Sequence, residues 1–339
     1  MKLRASIFTI LVLLSAGSSA QQRPQYTQYI FNNYLLNPAL SGMENYTDLR
    51  FGYRKQWTGI QDAPQTSFVS ANFSLGDQYL WRNALSLPDK GDDPMSRNYM
   101  QNYTSSPSHH GLGVIAVLDD VGPLSRLDAS LTYAYHLQLN NSLNFSVGIA
   151  AGISRIGLDR SQLSFESGGD DPAISRTIIG QVKPDLGLGV WLYGANFFAG
   201  ASVQQILPQK LVFTASPTEF STGKEVPHLF LTAGYRFFVA EDIAMTPSVM
   251  VKQVNPTPVS IDANLKVAFR DRFWLGGSYR KSDSFSAIAG VNINKTFNLT
   301  YSYDFTTSQL NTVSNGSHEI VLGIQLNNVY EVMSSMKMW

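Results

Sequence analysis

From residue 127 to 139 the chain alternates without a break. Leu127, Ala129, Leu131, Tyr133, Tyr135, Leu137 and Leu139 share one parity; Asp128, Ser130, Thr132, Ala134, His136 and Gln138 share the other. Successive side chains of a strand point to opposite faces, so the segment predicts a strand with one apolar face and one largely polar face. The same period returns at 143–153, 259–269 and 297–305. A soluble sandwich can carry such a pattern, but segments of about 9–11 residues in this number match tilted strands crossing a bilayer. The pattern predicts an all-β, transmembrane antiparallel β-barrel.

Followed along the chain, alternation predicts strands at 46–57, 65–75, 111–119, 125–139, 143–156, 184–193, 197–205, 227–238, 243–252, 259–269, 273–280, 285–293, 297–305 and 318–326. That is about 14 strands, and an even number is the rule for bacterial single-chain barrels. Connections after every second strand from the fourth to the twelfth are short, whereas 157–183, 206–226 and 306–317 are long. Short periplasmic turns and longer outer loops are the usual asymmetry, which puts both termini in the periplasm. One connection breaks the rule: 76–110 is long and polar, and is expected to be a periplasmic insert. Residues 46–326 form the expected barrel, followed by a tail at 327–339.

The start of the chain sets the compartment. Lys2 and Arg4 precede an apolar run at 7–14 and the small residues Ser18-Ser19-Ala20, the pattern of a secretory signal over residues 1–20. The rest holds no apolar run of about 18 residues, so a membrane-spanning form has to be a barrel. There is no cysteine, hence no disulfide, no thiolate chemistry and no lipid anchor on an N-terminal Cys. Charged residues make up 15% and aromatics 12%, with a net charge of +0. The aromatics suit interfacial girdles, and the neutral balance argues against a nucleic-acid partner. Outer-membrane lipid is the expected surrounding.

Charges of both signs fall on the inward parity: Arg50, Arg54, Asp128, Asp185, Arg236, Lys252, Asp262, Lys266, Arg280, Asp304 and Glu319. They read either as the lining of a selective channel or, in preference, as a charge network paired across a filled lumen. His109-His110 and the pairs Asp92-Asp93, Asp119-Asp120 and Asp170-Asp171 lack the spacing of a zinc or calcium site and read as polar turn residues. His318 and Glu319 are adjacent and face opposite ways along a strand. No Gly-x-Ser-x-Gly elbow, HExxH or Walker loop occurs. Neither a catalytic residue, nor a metal, nor a cofactor is expected. The segment 21–45 carries Tyr26, Tyr29, Ile30, Phe31, Tyr34, Leu35 and Leu36, a density of apolar side chains that calls for burial. A plug, a cap under the barrel and a partner-binding arm all satisfy it.

These residues also carry a resemblance. Gln25-Tyr26-Thr27-Gln28-Tyr29 with Asn37-Pro38-Ala39 and Gly42 resembles the opening of the PorP/SprF family of type IX secretion system outer-membrane proteins. Similar to that family are Tyr53-Arg54-Lys55-Gln56-Trp57 with Ala63-Pro64-Gln65-Thr66, Gly111-Leu112-Gly113 through Asp119-Asp120-Val121-Gly122, and Tyr133-Ala134-Tyr135-His136-Leu137. Trp274-Leu275-Gly276-Gly277-Ser278-Tyr279-Arg280, Tyr301-Ser302-Tyr303-Asp304 and Gly316-Ser317-His318-Glu319-Ile320 close the series. The 76–110 insert departs from the family's compact pattern.

The resemblance implies a non-enzymatic barrel in the outer membrane of a Gram-negative bacterium, working with other type IX secretion components. It further implies a role in export or cell-surface attachment of a secreted surface protein (an adhesin) or its C-terminal domain, and in gliding motility. The loops 157–183 and 206–226 hold Phe165, Ile178, Ile179, Leu211 and Phe213, more apolar than water-facing loops need, and are the expected partner-binding surface. The alternative is a general diffusion porin or nutrient transport barrel, in which a long loop folded inward would bury the same side chains.

Overall fold

The computed structural model describes residues 32–44, 46–76, 105–158, 181–207, 210–212, 222–240, 242–270, 272–281, 283–294 and 296–327. The first half of the wall is β1 (Thr47–Lys55), β2 (Gln65–Leu75), β3 (His109–Val121), β4 (Leu124–Asn140), β5 (Leu143–Leu158), β6 (Gln181–Gly194) and β7 (Phe197–Gln204). A short hairpin, β8 (Lys210–Val212) with β9 (Thr222–Lys224), stands outside the wall as a separate sheet. The wall resumes with β10 (His228–Tyr235), β11 (Phe237–Ala240), β12 (Ile243–Val254) and β13 (Ser260–Phe269). It ends with β14 (Phe273–Arg280), β15 (Ser284–Asn292), β16 (Phe297–Thr306) and β17 (Ser317–Leu326).

Every strand pairs antiparallel with its neighbours in the wall, and β1 pairs with β17 from Thr47↔Leu326 to Lys55↔His318. That pairing closes the sheet, leaving no edge, the one form in which a sheet satisfies all its backbone groups in lipid. β10 and β11 are one strand interrupted at Arg236, whose N–H bonds the carbonyl of Asn196 at 2.7 Å instead of the ladder. The result is a closed barrel of 14 strands, and each predicted strand is present. Thr47 and Leu326 lie together, so both ends of the wall are at one rim, called here the plain rim.

Alternation sets the faces. Leu131 (70% exposed), Leu275 (68%), Val147, Leu188, Leu231 and Leu265 point outward along with the other residues of their parity. Aromatics bracket this apolar band. Tyr133, Tyr135, Tyr235, Phe237, Phe269, Phe273 and Phe297 ring the plain rim, while Tyr53, Tyr279, Phe285, Tyr301 and Phe305 ring the opposite, loop rim. Two girdles flanking an apolar belt are the outer surface of a bilayer-spanning barrel. Local chemistry makes the plain-rim turns tight. Asn140 Oδ1 accepts from the N–H of Ser142 at 2.8 Å, and Asn294 Oδ1 from those of Thr296 and Phe297 at 2.8 Å. At the loop rim Gly122 turns β3 into β4 with φ +54°, a left-handed conformation that a side chain would strain.

Some expectations shift. His109-His110 and Asp119-Asp120 are strand residues of β3, not turn residues. His109 faces the lumen and His110 the outside, while Asp119 accepts a 2.6 Å hydrogen bond from Thr66 across the β2–β3 ladder. The expected insert therefore ends before His109. The 206–226 connection contains the β8–β9 hairpin. The signal region 1–20, the tail from 328, Asp92-Asp93 and Asp170-Asp171 lie outside the described residues.

Candidate functional site

Inside the barrel, residues 32–44 run from Ser41 and Gly42, toward the plain rim, to Leu35 and Leu36 beside Phe68, Phe230 and Gln204, toward the loop-rim ends of their strands. They form two single 3-10 turns, Asn33–Leu35 and Pro38–Leu40, and all of them are buried. The second turn is locally encoded: Asn37 caps it by accepting from the N–H of Ala39 at 3.0 Å, and Pro38 pre-sets the first helical φ. The Asn37 amide then donates outward to the carbonyls of Val190 (3.0 Å) and Ala201 (3.3 Å), tying the turn to β6 and β7.

The wall answers with side chains aimed at the segment's backbone. Ser146 Oγ donates to the Ala39 carbonyl at 2.5 Å, and Ser202 Oγ to that of Leu36 at 2.6 Å. Gln204 Nε2 donates to the carbonyls of Leu35 and Leu36 at 2.9 and 3.0 Å. His136 and His109 stack in parallel with ring centroids 4.5 Å apart. His136 donates Nε2–H to the Ser41 carbonyl at 2.9 Å, and His109 Nε2 lies 3.1 Å from that of Gly42. Tyr34 reaches Thr132 with its hydroxyl at 2.6 Å; burial pushes its phenol up to about 12, so it stays neutral at cellular pH.

Apolar contacts complete the seat. Tyr34, Leu40 and Met43 pack with Trp191, Tyr193 and Phe198, the Trp191 and Phe198 rings stacking at 5.4 Å. Leu35 meets Phe68 and Val321; Leu36 meets Phe230 and Met250. Beneath the segment, Ser105 caps the β4–β5 turn, its N–H on the Asn141 carbonyl at 2.8 Å and its hydroxyl on that of Asn140.

Above the segment, the loop-rim half opens as a vestibule of about 560 Å³ lined by Arg54, Arg280, Asp119, Asp283, Asp304 and Trp57, among others. Inward charges pair with one another at several places. Arg54 bridges Glu319 (2.9 Å) and Asp304 (2.6 Å), joining β1 to β17 and β16. Arg280 holds Asp262 and Asp283, each at 3.0 Å. Arg50 pairs with Asp48 on its own strand at 2.9 Å. Asp128 pairs with Arg126, which also reaches Glu225 at 3.0 Å and so pins the base of the 205–227 connection over the lumen. The cations of Lys266, Lys252 and Arg236 sit 5.5, 6.0 and 5.3 Å from the rings of Trp274, Phe230 and Phe238. Asp185 faces a small cavity of about 60 Å³ beside Tyr34 and Leu36.

Arg126, Asp48 and Glu225 escaped the sequence reading. The first two lie inside the predicted strands 125–139 and 46–57, at inward positions, and needed only every inward charge to be counted. Glu225 lies in a connection with no periodic signal. Of the expected docking side chains, Phe165, Ile178, Ile179 and Phe213 lie outside the described residues, and Leu211 belongs to β8. Among the described residues no cluster of His, Asp and Glu is arranged to hold a metal ion.

A closed 14-stranded barrel with an apolar belt, two aromatic girdles and an internally packed N-terminal segment is an integral barrel protein of an outer membrane. The chain matches the family model described as "Type IX secretion system membrane protein PorP/SprF" over residues 18–324. It belongs to that family, and its place is the outer membrane of a Gram-negative bacterium.

Among solved structures, the TodX deltaS2S3 mutant monoaromatic hydrocarbon channel is similar at 8% identity and a TM-score of 0.48, over 92% of this chain and 97% of that one. The Pseudomonas putida toluene transporter TodX is similar at 10% and 0.45, over 92% and 96%. The Acinetobacter baumannii outer membrane protein Omp33 is similar at 6% and 0.44, over 84% and 100%. No curated protein matches the chain.

Proposed function

We propose that this barrel is a non-enzymatic docking component of the type IX machinery. It binds a secreted surface protein, an adhesin or its C-terminal domain, at the loop rim and supports its export or attachment, and through that gliding motility. The observation that carries the reading is the occupied lumen: residues 32–44 are buried inside the barrel, where a diffusion pore would need an open path. Family membership supplies the machinery, and the loop rim supplies the surface. In this reading the plain rim, with its short turns, faces the periplasm.

Interfaces draw most of their energy from a few desolvated apolar anchors, and truncating one costs about 2 kcal/mol or more. Phe165, Ile178, Ile179, Leu211 and Phe213 are the anchors proposed here. The test replaces Leu211 and Phe213 by Ser, verifies barrel insertion, and measures surface retention of the cell's secreted adhesins. Loss of retention is expected. Unchanged retention, together with steady ion conductance by the purified barrel, would replace docking by the porin reading, which the charged vestibule would then serve.

A further inference from the structure

We infer that the lumen wall around residues 32–44 is a polypeptide-binding groove whose permanent ligand is the chain's own Asn37-Pro38 turn, a fixed plug rather than a displaceable gate. Three independent observations carry this.

The groove recognises backbone. Ser146, Ser202, Gln204 and His136 donate to the main-chain carbonyls of Leu35, Leu36, Ala39 and Ser41, and Asn72 Oδ1 accepts from the N–H of Gly42 at 3.1 Å. Donors aimed at carbonyls are the chemistry of a peptide site, and a solute channel has no use for them. Their buried polar atoms would be left unpaired by departure of the ligand, at a cost for each.

The wall is also cut to this turn. A methyl group on Gly148 would overlap the Ala39 nitrogen, one on Gly189 the Asn37 side chain, and one on Gly111 the Ser41 carbonyl. All three glycines lie at inward positions of strands. Glycine at these three positions leaves the space that this backbone path occupies.

Finally, the grip comes from several sides. Leu35 is held by β2 and β17, Leu36 by β10 and β12, and Asn37 by β6 and β7. A lid leaves by breaking contacts along one side; this segment would have to break contacts with β2 to β7, β10, β12 and β17. The closure stands on these contacts alone. The consequence that docking takes place on a sealed barrel rests on the docking reading.

The test uses the full-length protein in planar bilayers, with heat-modifiable gel migration as the check of barrel assembly. The wild type is expected to give closed traces, and Gly148→Val, which evicts the turn, persistent conduction. Wild-type conduction equal to that of Gly148→Val would overturn the plug. If Gly148→Val does not assemble, Asn37→Ala decides: transient openings are expected, suppressed when Ser41→Cys and Thr132→Cys are cross-linked in the same chain, and wild-type-like traces in Asn37→Ala overturn the groove. The Ser41 and Thr132 hydroxyls lie 2.8 Å apart, and the native chain has no cysteine to interfere. The cross-linked, otherwise wild-type protein should retain surface adhesins as fully as its reduced form. Retention that is lost on cross-linking and restored by reductant would make the segment a gate. Absence of retention in the wild type itself would defeat docking and leave the conductance result standing.

Discussion

Arg54 shows what a single inward charge does in this barrel. Only 4% exposed, it divides its guanidinium between Glu319 and Asp304, so one cation neutralises two buried carboxylates beside the β1–β17 closure. Removing it takes the shared cation away from two buried carboxylates, and breaking a buried pair by removing one member costs about 3–5 kcal/mol. Arg270 with Asp242 is the contrast: the same 3.0 Å class of contact, but at the surface, where such pairs contribute about 0–1 kcal/mol. Arg54→Ala is therefore expected to lower the urea midpoint of unfolding in detergent clearly, and Arg270→Ala to leave it nearly unchanged. Equal shifts would mean that vestibule water solvates the Arg54 group. His318 and Glu319 show the same logic of position: neighbours in sequence, one outward on Tyr301 at 2.7 Å, the other inward on Arg54.

At the scale of elements, the connections carry the information. Two of the tight plain-rim turns are closed by a side-chain cap, Asn140 and Asn294, while the loop-rim segments 56–58 and 313–316 bond to each other. Thr58 and Asn315 exchange backbone bonds with the 313–316 and 56–58 segments, including Thr58 N–H on the Gly316 carbonyl at 2.8 Å. Val313, 61% exposed, stands on this loop-rim surface, and Asn141 on a plain-rim turn. With the plain rim in the periplasm, Val313→Cys should react with an impermeant maleimide on intact cells and Asn141→Cys only after permeabilisation. The reverse pattern would invert the proposed orientation.

Taken whole, the molecule is a wall between two solvents, lipid outside and a filled lumen inside. Leu275, 68% exposed, sits in the apolar belt, whereas Ser260 lines the vestibule. Arg at the lipid-facing midplane costs about 2–4 kcal/mol, and at a lumen position little. Leu275→Arg should reduce the assembled, heat-modifiable fraction recovered from outer membranes; Ser260→Arg should not. The comparison is sound only where the lumen has room. Thr132 is also inward, but its hydroxyl is shared by Tyr34 and Ser41, so Arg there would collide with the plug and fail for a different reason.

Strand number, parity and most boundaries were legible from the chain because they follow from local alternation: a one-residue slip would turn every Leu of a strand into the lumen. Leu127 to Leu139 needed no partner to declare its face. The burial demand of Tyr34, Leu35 and Leu36 was legible too, but not where they are buried. That required closing the barrel, which brings Phe68, Val321, Phe230 and Met250 from distant parts of the chain around one turn. Those inward apolar residues broke the expected polar lining, because a plug needs dry contacts as well as hydrogen bonds. Charge pairing was decided likewise: Arg54 lies 250 residues from Asp304 in sequence, and Arg126 meets Glu225 only across the lumen. Alternation is a property of neighbours along a strand and therefore readable; who faces whom across a lumen is a property of closure, and only the tertiary structure settles it.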